Sequence, residues 1–167
     1  MRLKKSIFTF ITAGLITTSS FASSEIFSTS WDVSSGSAGI VYSPDYSDSD
    51  MVLAAEVSHS TRGEQRIYFT LGYLDDSDIC TYENEYADDE TFIFSGQAVK
   101  MLRWCKQYSD GQYVYEYTPA TIHGHSYVIN LFKKATAQVK IKISNETILF
   151  PVMGFTKAWN SAGGHAI

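Results

Sequence analysis

The 167 residues contain only two cysteines and three prolines, and after residue 22 no apolar run approaches membrane-spanning length. A helical span needs roughly 20 consecutive apolar residues, so nothing in the remainder predicts one. Two cysteines exclude a scaffold built on several disulfides. Basic residues are scarce in one half: residues 23–99 carry fifteen acids against only Arg62 and Arg66. Such a chain lacks the basic face that phosphate contacts require, which argues against nucleic-acid binding. Gly-x-Ser-x-Gly, Ser-x-x-Lys and His-Glu-x-x-His patterns are also missing, so no familiar catalytic motif is present.

The first 22 residues have a character of their own. Arg2, Lys4 and Lys5 precede an apolar stretch from Ile7 to Ile16, and small residues end in Ser20-Phe21-Ala22. This order predicts a secretory signal peptide cleaved after Ala22. The stretch is short and interrupted by Thr9, Thr12 and Gly14, which disfavours an uncleaved anchor. The remaining residues 23–167 suit one domain with a real core. They carry ten bases and eighteen acids. Residues 23–99 have a net charge of −13 and residues 100–167 a net charge of +5. The halves either pair within the fold or present an acidic face to a basic partner. In an oxidising compartment, periplasmic or extracellular, Cys80 and Cys105 most simply form one disulfide.

Strand signals dominate the rest. Met51–Val57 is an apolar run, and Gln65–Leu74 alternates, with Ile67, Phe69, Leu71 and Tyr73 on one side. The polar segment between them offers Gly63 for a positive φ. Thr91–Phe94 and Ala98–Cys105 flank the turn Ser95-Gly96-Gln97. Ser109-Asp110-Gly111 signals another hairpin before the alternating Tyr113–Tyr117. Tyr127–Phe132, Gln138–Ile143 and Thr147–Val152 are further expected strands, and Phe155–Asn160 the expected helix. The pattern predicts an all-β fold, an antiparallel β-sandwich or small barrel with a short C-terminal helix and one disulfide.

Several groups could carry function. Residues 75–90 hold eight acids and no base, which predicts a solvated loop tied down by Cys80. Within and beside it, Asp75, Asp76, Asp78, Asp88 and Asp89 are candidates for steering a basic partner. Tyr113, Tyr115 and Tyr117 share one face of a strand. They form either a partner-binding stripe or a core face whose hydroxyls reach the rim, the second being the expected case because Gln112 and Glu116 look more solvent-facing. His123 and His125 would share a face if extended and grip a metal ion, given a third ligand such as His59 or His165. Asp45, Asp48 and Asp50 could offer oxygens to Ca²⁺, but the EF-hand spacing fails. The carboxylates of 75–90 offer neither the fixed separation nor the burial that acid/base catalysis needs.

The C-terminal part carries a resemblance. Lys133–Asn160 runs as a basic turn, the strands Val139–Ile143 and Ile148–Val152, and then Gly154-Phe155-Thr156-Lys157-Ala158. This resembles the close of the exported invasion-associated locus B family, whose members end in a strand and a Gly-Phe-x-x-Ala helix. Trp31-Asp32-Val33 falls where that family has an early tryptophan, while the family's further cysteines have no counterpart here. The resemblance implies an exported, non-enzymatic β-sandwich linked to host or envelope interaction, with no catalytic residues.

Taken together, the residues predict a non-enzymatic periplasmic or secreted protein that binds another protein or an envelope component, such as an inhibitor, immunity or accessory protein. It would need no cofactor and have no nucleic-acid partner. The alternative is a metal- or small-ligand carrier using His123 and His125, with a hydrolase third.

Overall fold

A computed structural model describes residues 29–45, 47–82, 86–108 and 111–162. The signal-peptide expectation, and His165, lie outside them. The strands are β1 (Ser37–Tyr42), β2 (Met51–His59), β3 (Gln65–Tyr73), β4 (Asp88–Phe94), β5 (Gln97–Gln107), β6 (Tyr113–Pro119), β7 (Gln138–Ile143) and β8 (Glu146–Pro151). The helices are α1 (Ile122–Lys134) and α2 (Phe155–Ala162). All strands join one antiparallel sheet in the order β1-β2-β3-β6-β5-β4-β7-β8, and the edge strands β1 and β8 approach each other. The sheet is a nearly closed barrel, as the alternation and the turn punctuation predict.

The alternating residues set the inner wall. Ile67, Phe69 and Leu71 of β3, Phe92 and Phe94 of β4, and Ile141 and Phe150 of β7 and β8 are buried. Turns sit where the backbone can make them: Gly63 has φ +79°, and Ser95 and Gly96 both have positive φ in the β4–β5 hairpin. Helix α2 extends two residues beyond the expected Asn160, to Ala162.

Besides β1 (Ser37–Tyr42), which the sequence reading does not include, two elements differ from it. Tyr127–Phe132 is not a strand but the body of α1. Thr121 caps this helix by accepting the Gly124 N–H at 3.0 Å, and Lys133 and Lys134 complement its C-terminal end. Val128, Ile129 and Phe132 form its buried face, a helical spacing hidden inside an apolar cluster. Phe132 enters the core against Phe69, Phe94, Phe150 and Phe155, with ring centroids 5.2–6.4 Å apart. The second difference is β4, which begins at Asp88, so three acids of the acidic run belong to a strand.

Trp31 ties the start of the described chain to its end. Its ring meets Phe155 edge-on at 4.9 Å, its Nε1 donates to the Pro151 carbonyl at 3.0 Å, and its backbone N–H donates to the Met153 carbonyl at 2.8 Å. Gly154, at φ +85°, lies so close below that an added Cβ would sit 3.2 Å from the Trp31 carbonyl oxygen.

Candidate binding trough on the sheet face

The segment that follows β3 is tied to the start of β6. Cys80 and Cys105 form the expected disulfide. The loop is held at more points than this bond: Ile79 N–H donates to the Tyr113 carbonyl, Asp78 accepts the Tyr113 N–H at 2.7 Å, and Gln112 donates to the carbonyls of Tyr73 and Ser77. Asp75 accepts from both Ser77 and Ser49, and these hydrogen bonds hold its carboxyl below the usual carboxylate range. In β4, Asp88 pairs with Arg103 at 3.2 Å and Asp89 with Lys100 at 2.7 Å. Four of the five candidate steering aspartates are thus engaged within the fold, and Asp76 occupies a left-handed turn position at φ 61°.

The tyrosine face of β6 turns inward. Tyr117 is only 3% exposed and Tyr115 packs against the core, so Tyr117 is out of a partner's reach. Burial pushes the Tyr117 hydroxyl well above the ordinary phenolic range. The Arg103 guanidinium lies 4.8 Å from the Tyr115 ring centre and also pairs with Glu90. Tyr113 remains half-buried at the rim.

His123 and His125 fall in the first turn of α1. Residues two apart on a helix point to different sides, so the shared face that a metal site required is lost. No group of three or more His, Cys, Asp or Glu suited to a metal ion occurs among the described residues. His125 instead packs against Trp159 with ring centroids 5.8 Å apart, and burial pushes its pKa below the usual imidazole range. The carboxylate of Asp50 accepts from Ser43 at 2.6 Å.

The opposite, outer face of the sheet holds an arrangement that sequence reading did not foresee. Strand β6 lies between β3 and β5, with Glu116 directly opposite Thr70 on one side and Trp104 on the other. One residue pair along, Thr118 faces Leu102, and in the other direction Val114 faces Lys106. Leu102, Trp104, Lys106, Glu116 and Thr118, with Arg66 and Tyr68 of β3, line an open trough of about 590 Å³ closed at one end by the β2–β3 turn. Strand β6 is its floor, while the larger side chains of β3 and β5 are its walls. A separate depression of about 260 Å³ lies over Ala54, Thr70, Gly72 and Val114. Gly72 keeps that floor low, since an added Cβ would stand 3.0 Å from Val114.

Arg66 stiffens the closed end. Its guanidinium donates to the Pro119 carbonyl and to Thr118 Oγ1, and pairs with Glu64 at 3.4 Å. Glu116 is different. It is half-buried and makes no hydrogen bond or ion pair with the described residues. Burial raises its pKa above 4.5, with Lys106 pulling it back and Glu56 adding to the rise. Partly desolvating an ionised carboxylate without a direct partner costs stability.

That cost has a pH signature. The folded state holds the Glu116 proton more tightly than the unfolded chain, so the penalty is fully present above the folded pKa and vanishes below 4.5. Glu116→Gln should therefore raise the melting temperature near neutral pH. The gain should shrink as pH falls through the window between the folded pKa and 4.5, and disappear below it. Melts across that range read the effect directly, and an unchanged melting temperature at neutral pH would show the carboxylate compensated within the fold.

Fold and trough together define a small disulfide-linked barrel that presents a mixed-charge, aromatic-walled sheet face. No family model, curated protein or solved structure matches the chain.

Proposed function

We propose that this is an exported, non-enzymatic binding protein whose β3–β6–β5 trough engages a macromolecular partner, a protein or an envelope component. The observation that carries the reading is Glu116: a half-buried carboxylate without a partner, set in an open trough between aromatic and cationic side chains. A partly buried carboxylate at the centre of an open trough, beside an aromatic and a cationic side chain, supports a binding role for that face. The leader-like residues 1–22 and the disulfide support export. Among the described residues no helix is long and apolar enough to cross a membrane. The interior offers little to a carrier, because phenylalanine side chains fill it. A basic partner gains less from the acidic run than composition suggests, since its aspartates are largely occupied.

The test is capture by protein recovered from cells expressing the full chain. Immobilised wild type should retain an envelope or medium component that the Trp104→Ala, Glu116→Gln double variant fails to retain. Equal retention by both would overturn the assignment of the trough.

A further inference from the structure

We infer that copies of this chain associate head to tail, the acidic end of one barrel docking on a basic-rimmed pocket at the helix-bearing end of the next. The trough plays no part in this contact. Strand register sorts the charges by end. His59 pairs with Gln65, Met101 with Pro119 and Gln138 with Pro151 at the end where β6 leads into α1 and β8 towards α2. Arg62, Lys133, Lys134 and Lys157 are exposed there, and the nearby acid Glu64 pairs with Arg66. At the opposite end, loops 43–50 and 74–82 hold Asp45, Asp48, Asp50, Asp75, Asp76 and Asp78, all exposed, and no base. None of the six pairs with a base among the described residues. Serine hydroxyls and a main-chain N–H occupy Asp50, Asp75 and Asp78 without cancelling their charge. Arg103 is held by Asp88 and Glu90, which leaves Lys106 against the six.

The pocket lies between the end of α1 and the start of α2. It is open, about 580 Å³ in volume, with Phe132, Val152, Met153 and Phe155 as apolar lining and Lys133 and Lys157 as charged lining. Its complement is an anionic surface that carries an apolar group. This chain holds one at its other end: Leu74 is exposed beside Asp75 and Asp76, and Tyr82 is exposed two residues past the bonded Cys80. Symmetric dimers are disfavoured, because joining two acidic or two basic ends sets like charges together. A contact between unlike ends leaves one free end of each kind, so it repeats as an open chain.

Range decides whether the net negative charge of the chain prevents this. The nine residues of β2 span about 30 Å, whereas the screening length at about 0.1 M salt is about 10 Å. The far end of each copy is therefore screened from the contact. The two facing ends, of opposite sign, dominate it.

The experiment sediments protein recovered from cells expressing the full chain, over a concentration series at about 0.1 M salt and at about 1 M, where the screening length falls to about 3 Å. The average mass should rise with concentration at the lower salt and stay that of the monomer at the higher. Lys134→Glu with Lys157→Glu should weaken association about tenfold or more, and so should Asp45→Lys with Asp48→Lys. Lys133 is left in place because it packs over Trp159, and unchanged melting temperatures show that both variants keep the fold. Mixing the two variants should restore complexes, since each supplies the end that the other lacks. Tyr82→Ser should weaken association without changing its salt dependence. A monomer at every concentration, association that survives about 1 M salt, or no recovery on mixing overturns the proposal. It is equally overturned if the wild type stays monomeric but binds phosphatidylglycerol vesicles through Lys134 and Lys157, which would assign the basic end to an anionic lipid surface.

Discussion

Trp31→Ala should lower the unfolding free energy by about 3–5 kcal/mol, the range for removing a large buried aromatic. The indole is 3% exposed and sits among Phe132, Phe150 and Phe155, with centroids 4.9–6.5 Å away. Its removal opens a void in a rigid aromatic cluster and strips the Pro151 carbonyl of its Nε1 donor. Trp31→Phe should recover most of the packing and lose chiefly that hydrogen bond. Urea unfolding of the two variants separates the contributions. A cost below about 1 kcal/mol for the alanine variant, outside the range for cavity formation, would mean that the segment around Trp31 is not docked as described.

Replacing Cys80 and Cys105 together by serine should cost about 3 kcal/mol, the chain-entropy value for a closed loop of this length, with a separation of 25 residues. The corresponding drop in melting temperature is roughly 10 °C for a domain of this size. The loop should not detach entirely, because Ile79, Asp78 and Gln112 still hold it to β6 and β3. Hydrogen exchange should show faster exchange confined to residues 75–82, with the barrel amides slowed as before. Collapse of the whole sheet on reduction would instead make the disulfide essential to the fold.

The strands were legible wherever side chains alternate against a single core. Gln65–Leu74 was expected and β3 ends one residue earlier, because inner and outer residues of that strand differ so clearly in polarity. Helix α1 was not legible: Tyr127, Val128, Ile129, Leu131 and Phe132 cluster closely enough to pass for a buried strand. The Thr121 cap and the basic last turn were the signals that distinguish it. Strand β1 begins Ser37-Ala38-Gly39, residues with little strand preference, and it is defined by pairing with β2 rather than by its own composition.

The trough was beyond sequence reading for a different reason. It depends on β6 pairing with β3 across an intervening hairpin, which sets Thr70, Glu116 and Trp104 side by side from three separated segments. Glu116 alternates with tyrosines and so reads as a solvated residue. Its half-burial comes from cross-strand neighbours that no local pattern reveals. The histidine pair misled in the opposite way, since the shared face assumed an extended backbone where the chain is helical.

The Trp31 pocket also sets an order of events. Its walls are Phe132, Phe150 and Phe155, and its hydrogen-bond acceptors are the carbonyls of Pro151 and Met153. A chain that emerges N-terminus first delivers the tryptophan more than a hundred residues before its binding site. The N-terminal hairpins can form as they appear, but the final lock must wait for the last helix. Until then the indole has no pocket, and the first strand of the sheet is joined to the last only once α2 is in place.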